Sequence, residues 1–221
     1  MTNYTTGSIE NVWDAENLFY LKSHPQRLAK LLGFYELYKK CLSMPGALVE
    51  CGVYKGSSMV KLAAFRSLLE NDWSRKLIGF DVFGKFPNEG LSLSSDRDFV
   101  ERFESAGGQG ISVNELESAL DDKGVKNYQL IQGDVFETIP KYLSDNPQLR
   151  VSLLHLDLDV YEPTKFCLTK FIPRMVKGGL VVFDDYNAVE GASVVVDEWL
   201  AEEGLKIEKL SFCATPSFVV V

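Results

Sequence analysis

The chain has 221 residues, 46% of them hydrophobic and 24% charged, with a net charge of −8. Such proportions exclude collagen, coiled coil and disorder. The acidic balance speaks against a nucleic-acid partner or an anionic membrane surface, since both need a basic face. No apolar run reaches the ~20 residues of a spanning helix. The polar stretch Met1 to Glu10 lacks a signal peptide's apolar core. Cys41, Cys51, Cys167 and Cys213 stand far apart and form neither a CxxC pair nor a zinc pattern. A cytoplasmic location with reduced thiols is therefore expected.

In chain order, two helical patterns come first, roughly Ala15–Ser23 and Pro25–Leu42, with Pro25 suited to a first helical turn. Phe34, Tyr35 and Tyr38 fall at helical spacing and are expected in the core. Apolar runs rich in β-branched residues follow at Ala47–Val53, Leu77–Phe83, Tyr128–Gln132, Val151–Leu158, Leu180–Phe183, Ile207–Phe212 and Phe218–Val221. Several lack polar alternation, the mark of strands buried on both faces of a parallel sheet. Helical patterns at Ser57–Asn71, Pro163–Val176 and Ala188–Glu203 separate them. This rhythm predicts an α/β fold with a doubly wound, mostly parallel, Rossmann-like sheet. The short connection Ala214–Ser217 can join only antiparallel strands, so the sheet should hold seven strands with the last one reversed. A single domain over residues 1–221 is expected, with a helical segment at 1–45 and a sheet core at 46–221. Gly84–Asn114, rich in Gly and Ser with one helical pattern at Asp96–Ser105, interrupts the rhythm as an expected lid.

Four constellations fall at predicted strand ends. Glu50-Cys-Gly52-Val-Tyr-Lys-Gly56 lies where the first strand turns into a helix, and its glycines let a ligand approach the backbone. It is not the G-x-G-x-x-G dinucleotide fingerprint, and a ligand-free strand–helix turn remains the alternative. Asp81 closes the second strand, where a carboxylate can accept both hydroxyls of a ribose or simply cap a loop. Gln132-Gly133-Asp134 closes the third, near an adenine rim or as a plain turn.

The fourth constellation is acidic. His155-Leu-Asp157-Leu-Asp159 ends one strand and Asp184-Asp185 ends the next, so Asp157, Asp184 and Asp185 should share one crevice. Crowded carboxylates repel unless protonated or screened. Oxygen-only donors point to a hard cation, Mg²⁺ first. Solvation and N-capping, with Asp159 ahead of the helix at Pro163, is the competing account. His155 is expected to hydrogen-bond behind this cluster, and His24 to take a surface or capping role.

The succession E-x-G-x-x-x-G, G-F-D-x-F, G-D, L-D-x-D-x-Y-E-x-T and G-G-x-x-x-x-D-D-Y resembles the macrocin O-methyltransferase family from about Ala47 to Asn187. The resemblance implies a class I methyltransferase fold, S-adenosylmethionine as cofactor, Mg²⁺ and methylation of a sugar or small-molecule hydroxyl. It implies that Glu50, Gly52, Val53, Tyr54, Gly56 and Ser57 lie along the cofactor's methionine. Asp81 would take the ribose, with Val82 and Phe83 beside the adenosine. Gln132, Gly133, Asp134 and Val135 would lie near adenine. Asp157, Asp184 and Asp185 would ligate the metal, with Asp157 also against the cofactor and accepting the substrate proton. Some members use a C-terminal histidine as base, but none follows His155 here. Phosphates of a nucleotide-sugar acceptor would need basic groups, for which Lys55, Lys85 and Arg97 are candidates. A homodimer through the N-terminal helices fits their apolar face. The rival readings are an NAD(P)-dependent reductase, against which the glycine spacing speaks, and an inactive cofactor-binding protein, against which the intact carboxylates speak.

Overall fold

The computed structural model describes residues 11–87, 91–107 and 109–221. Two helices, α1 (Val12–Lys22) and α2 (Pro25–Cys41), precede the sheet. His24 caps α2 by accepting the Gln26 N–H, as its position before Pro25 suggests. Strands β1 (Ala47–Cys51), β2 (Leu77–Asp81), β3 (Tyr128–Gln132), β4 (Val151–Leu156), β5 (Met175–Phe183), β6 (Glu208–Lys209) and β7 (Ser217–Val220) form one sheet, ordered β3-β2-β1-β4-β5-β7-β6. Strands β1 to β5 are parallel, and β7 runs antiparallel to β5 and β6. β6 is shorter than the apolar run Ile207–Phe212 suggests. The chain leaves the sheet after Lys209, so the β6–β7 connection is longer than the four residues expected.

Between the strands lie α3 (Ser57–Leu69), α4 (Ser94–Gly107), α5 (Val113–Asp122), α6 (Val135–Asp145), α7 (Tyr161–Phe171) and α8 (Glu190–Glu203). One face of the sheet packs on α2, α3 and α5 through Phe34, Leu37, Met59, Leu62 and Leu116. The other packs on α6, α7 and α8 through Ile139, Leu143, Leu168, Phe171 and Trp199. Every residue of β1 and β4 is buried, the polar Glu50, Ser152 and His155 included, as strands covered on both faces require. Phe34 and Tyr38 are fully buried. All four cysteines are free and buried.

The strand order reverses between β1 and β4. Helices diverge there, leaving a crevice beyond the carboxyl ends of the strands. Leu156 pairs with Cys51 on one side and Phe183 on the other. Asp157 and Asp184 therefore leave adjacent strands at the same level. Gly52 makes this junction possible. It has φ +87, and a Cβ there would fall 1.8 Å from the Asp157 carbonyl oxygen.

Candidate active site

A cleft opens at this switch point. Its floor is Gly52 and Asp157, with Asp81 and Asp134 at the β2 and β3 ends. Phe86, Leu91 and Phe103, before and on α4, form an apolar wall. Mostly apolar walls with a few convergent polar groups are what small-molecule sites offer.

Asp81 organises the glycine turn. Its Oδ2 accepts the Val53 N–H at 2.6 Å and the Tyr54 N–H at 2.9 Å, and its Oδ1 accepts the Phe83 N–H at 2.6 Å. These bonds take three of the carboxylate's four lone-pair sites, so one on Oδ1 remains toward the cleft. Tyr54 lines the cleft, donates its hydroxyl to the Gly107 carbonyl at 2.5 Å, and sits 5.0 Å from the Phe103 ring. Asp134 caps α6 by accepting the Phe136 N–H at 2.9 Å, and it lines the cleft together with Val82 and Val135. Gly56 takes φ +77 ahead of α3, where a Cβ would meet Leu116 at 2.7 Å. Ser57 opens that helix.

Other expected residues lie elsewhere. Val53 and Phe83 belong to the core beneath α2 and α3. Gln132 donates weakly to the Val82 carbonyl at 3.3 Å, and Gly133 bridges to α6 with φ +137. Glu50 is buried, with Oε1 2.9 Å from His155 Nδ1. It faces the α2 side of the sheet and not the cleft, because it alternates with Val49 and Cys51. Lys55 and Arg97 are spent on the backbone carbonyls of Gly107 and Leu91.

The acidic residues sort into two groups of three sharing Asp157. His155, Asp157 and Asp184 bring one donor atom each within 4.8 Å of one another, and so do Asp157, Asp159 and Asp185. Asp184 and Asp185 thus fall in different groups, and Asp159 joins the cluster. Asp159 does not cap α7. The cap position is Val160, with no side-chain bond, while the Asp159 N–H donates to Asp185 Oδ2 at 3.1 Å. Its φ of +63 turns it back toward Asp185.

Sequence reasoning missed Lys30. Its Nζ stands 2.6 Å from Asp184 Oδ2. His155 Nε2 stands 3.5 Å from Asp184 Oδ1, too far for a well-formed hydrogen bond. Burial lowers the His155 pKa, but Asp184 and Glu50 overcome it and raise it to about 10. Burial likewise works against the Asp184 carboxylate, yet His155 and Lys30 hold its pKa down to about 2. Asp157 and Asp185 are raised, first by burial and then by neighbouring carboxylates. Asp159 is pushed up to about 7 by burial and by Asp157. Asp184 is thus held charged by Lys30 and His155, although its Oδ1 has no hydrogen-bond partner, whereas burial and neighbouring carboxylates disfavour the charge on Asp157, Asp159 and Asp185. Three oxygen donors in that state suit a hard divalent cation, and the apolar cleft with a carboxylate at the β2 end suits a nucleoside-bearing ligand.

A doubly wound sheet with a reversed last strand and an acidic centre at its switch point defines a class I methyltransferase fold. The family model for macrocin O-methyltransferases matches residues 26–212, and the chain belongs to that family. It is 30% identical over 146 residues to a rhamnosyl-tetracenomycin-C 4′-O-methyltransferase of Streptomyces olivaceus, covering 65% of this chain and 54% of that protein. A demethyldecarbamoylnovobiocin O-methyltransferase of Streptomyces niveus is 28% identical over 151 residues, with the same shares. The chain thus spans about half the length of these curated relatives. The crystal structure of the calicheamicin methyltransferase CalS11 superposes with a TM-score of 0.78 at 30% identity, covering 97% of this chain and 87% of that one. A second structure of CalS11 describes it as a TDP-rhamnose 3′-O-methyltransferase, with a TM-score of 0.69 at 27% identity, covering 96% and 87%. Among the described residues no helix is long and apolar enough to cross a membrane.

Proposed function

We propose that the protein transfers a methyl group from S-adenosylmethionine to a hydroxyl of a sugar, or of a small molecule carrying one, assisted by a divalent cation such as Mg²⁺. One observation carries this reading. Asp157 lines the apolar cleft and is also the carboxylate common to both acidic groups. A cofactor in the cleft would therefore meet the acceptor at Asp157. Family membership and the sugar-linked substrates named for the relatives support the acceptor class.

When bound, the cofactor supplies an electrophilic methyl group, and a hard cation lowers the pKa of a coordinated hydroxyl. The chain's own residues provide the rest. Asp81 would accept a ribose hydroxyl on Oδ1 while its backbone bonds keep the glycine turn preformed. Asp157, Asp159 and Asp185 would hold the cation, with Asp184 kept in place by Lys30 and His155. Asp157 and Asp159 both line the cleft, and either would accept the hydroxyl proton. Residues 84–87, 91–107 and 109–114 would cover the cleft, with Phe86, Leu91 and Phe103 excluding water from it.

The test is calorimetry with S-adenosylhomocysteine and with NADPH, followed by labelled-methyl transfer to TDP-rhamnose and to rhamnosyl glycosides. Binding of the sulfur ligand alone, with label appearing in a sugar, is the expected result. Binding of NADPH in its place would overturn the assignment.

A further inference from the structure

Asp96, on the helix α4 that covers the cleft, is 1% exposed. Its Oδ2 accepts the Tyr161 N–H at 2.9 Å. Tyr161 is the first residue of α7, whose own cap residue offers no side-chain bond. A carboxylate at this point satisfies an orphan amide and complements the helix dipole. The cap thus arrives from 65 residues away. Oδ1 has no partner and lies against the first turn of α8, where a Cβ at Gly191 would come within 2.2 Å of it. This seat exists because residue 191 is glycine.

The two helices that meet at Asp96 each emerge from an acidic strand end. α7 follows the turn 157–160, and α8 follows Asp184 and Asp185. The first of these turns is tight, with Val160 N–H donating to the Leu158 carbonyl at 2.7 Å and Asp159 in the left-handed region. Such a conformation persists only when its surroundings hold it. Asp185 holds it from one side through the Asp159 N–H, and Asp96 from the other through the Tyr161 N–H. Leu91, Val100 and Val160 pack here with Phe86 and Phe99, but apolar contact alone does not fix a direction.

We propose that Asp96 is a positioning residue for the reaction. By seating α4 between the first turns of α7 and α8, it fixes the Asp157–Val160 turn and makes the acidic centre complete only when the cleft is covered. The inference rests on reading that turn as part of the reacting centre.

The experiment compares Asp96→Ala, Asp96→Asn and Gly191→Ala in the whole chain, by hydrogen exchange without ligands and by methyl-transfer kinetics. Asp96→Ala should speed exchange at residues 159–161 and in α4 together, by about tenfold or more. It should lower kcat by roughly ten- to a hundredfold, as a misplaced reacting group does. Asp96→Asn keeps an acceptor oxygen and should recover most of both. Gly191→Ala leaves Asp96 intact but displaces its carboxylate, and should reproduce the alanine variant. Faster exchange in α4 with wild-type exchange at 159–161, or an unchanged kcat, would reduce Asp96 to a fastening of α4 and overturn the proposal. Should Asp96→Ala not fold, Gly191→Ala decides alone. Failure of the wild-type protein to bind S-adenosylhomocysteine would instead overturn the functional reading, while the exchange comparison still decides the coupling.

Discussion

The Lys30 ammonium lies 2.6 Å from Asp184 Oδ2, so a helix ahead of the sheet supplies the counter-charge for a carboxylate 154 residues later. Asp184 is buried, and Lys30 keeps about a quarter of its side chain exposed. Lys30→Met should therefore cost about 1–3 kcal/mol, below the figure for a fully buried pair. The sign of the pH dependence follows from the Asp184 pKa of about 2, below its unfolded value. The stabilisation is full above pH ~4 and is lost as pH falls through ~2. Denaturant titrations with divalent cations removed should show the wild-type and variant stabilities converging in that acid window. A constant gap would mean that Lys30 acts by packing alone.

Asp81→Ala should weaken S-adenosylhomocysteine by about 1.5–3 kcal/mol, the range for hydrogen bonds to a charged group. It also frees the Val53, Tyr54 and Phe83 amides, so hydrogen exchange at these three positions should quicken. Calorimetry reads the first effect. Unchanged affinity beside quickened exchange would leave Asp81 a loop fastening only.

Mg²⁺ should raise the melting temperature of the wild-type protein, because a ligand bound only by the folded state stabilises it. Asp185→Asn should abolish that rise while S-adenosylhomocysteine affinity stays within about twofold, since no cleft-lining residue is Asp185. A persisting Mg²⁺ shift in the variant would place the cation away from Asp185.

The strand ends were legible because each closes an apolar, β-branched run with a short polar residue, as at Phe80-Asp81 and Phe183-Asp184. Pairing across the sheet was not. Nothing near Lys30 or Glu50 in the chain announces Asp184 or His155, since those contacts exist only once α2 and β4 have packed. The helix α6 went unread although Val135, Ile139, Tyr142 and Leu143 follow helical spacing, because Pro140 interrupts the pattern. By its position before Pro163, Asp159 reads as a cap. Its left-handed backbone, which returns it to the acidic group, has no local signal in a non-glycine residue.

Gly52→Ala should destabilise the fold by about 3 kcal/mol or more, because the added methyl meets backbone that cannot turn aside and the positive φ disfavours it. Thermal unfolding of the variant checks this. A melting point within a few degrees of wild type would show that β1 and β4 can separate at their carboxyl ends.

β1 occupies the middle of the sheet between β2 and β4, yet β4 lies about a hundred residues further along the chain. On synthesis β1, β2 and β3 can associate early, but one flank of β1 must wait until residues 151–156 emerge. Closing so long a loop carries an entropic toll before any contact rewards it, which slows folding. Throughout that interval the unpaired edge at Leu48, Val49 and Cys51 is an apolar ribbon open to other chains. Crowded expression at high temperature should thus favour aggregates seeded by the N-terminal half, and slower translation between β3 and β4 should make them worse.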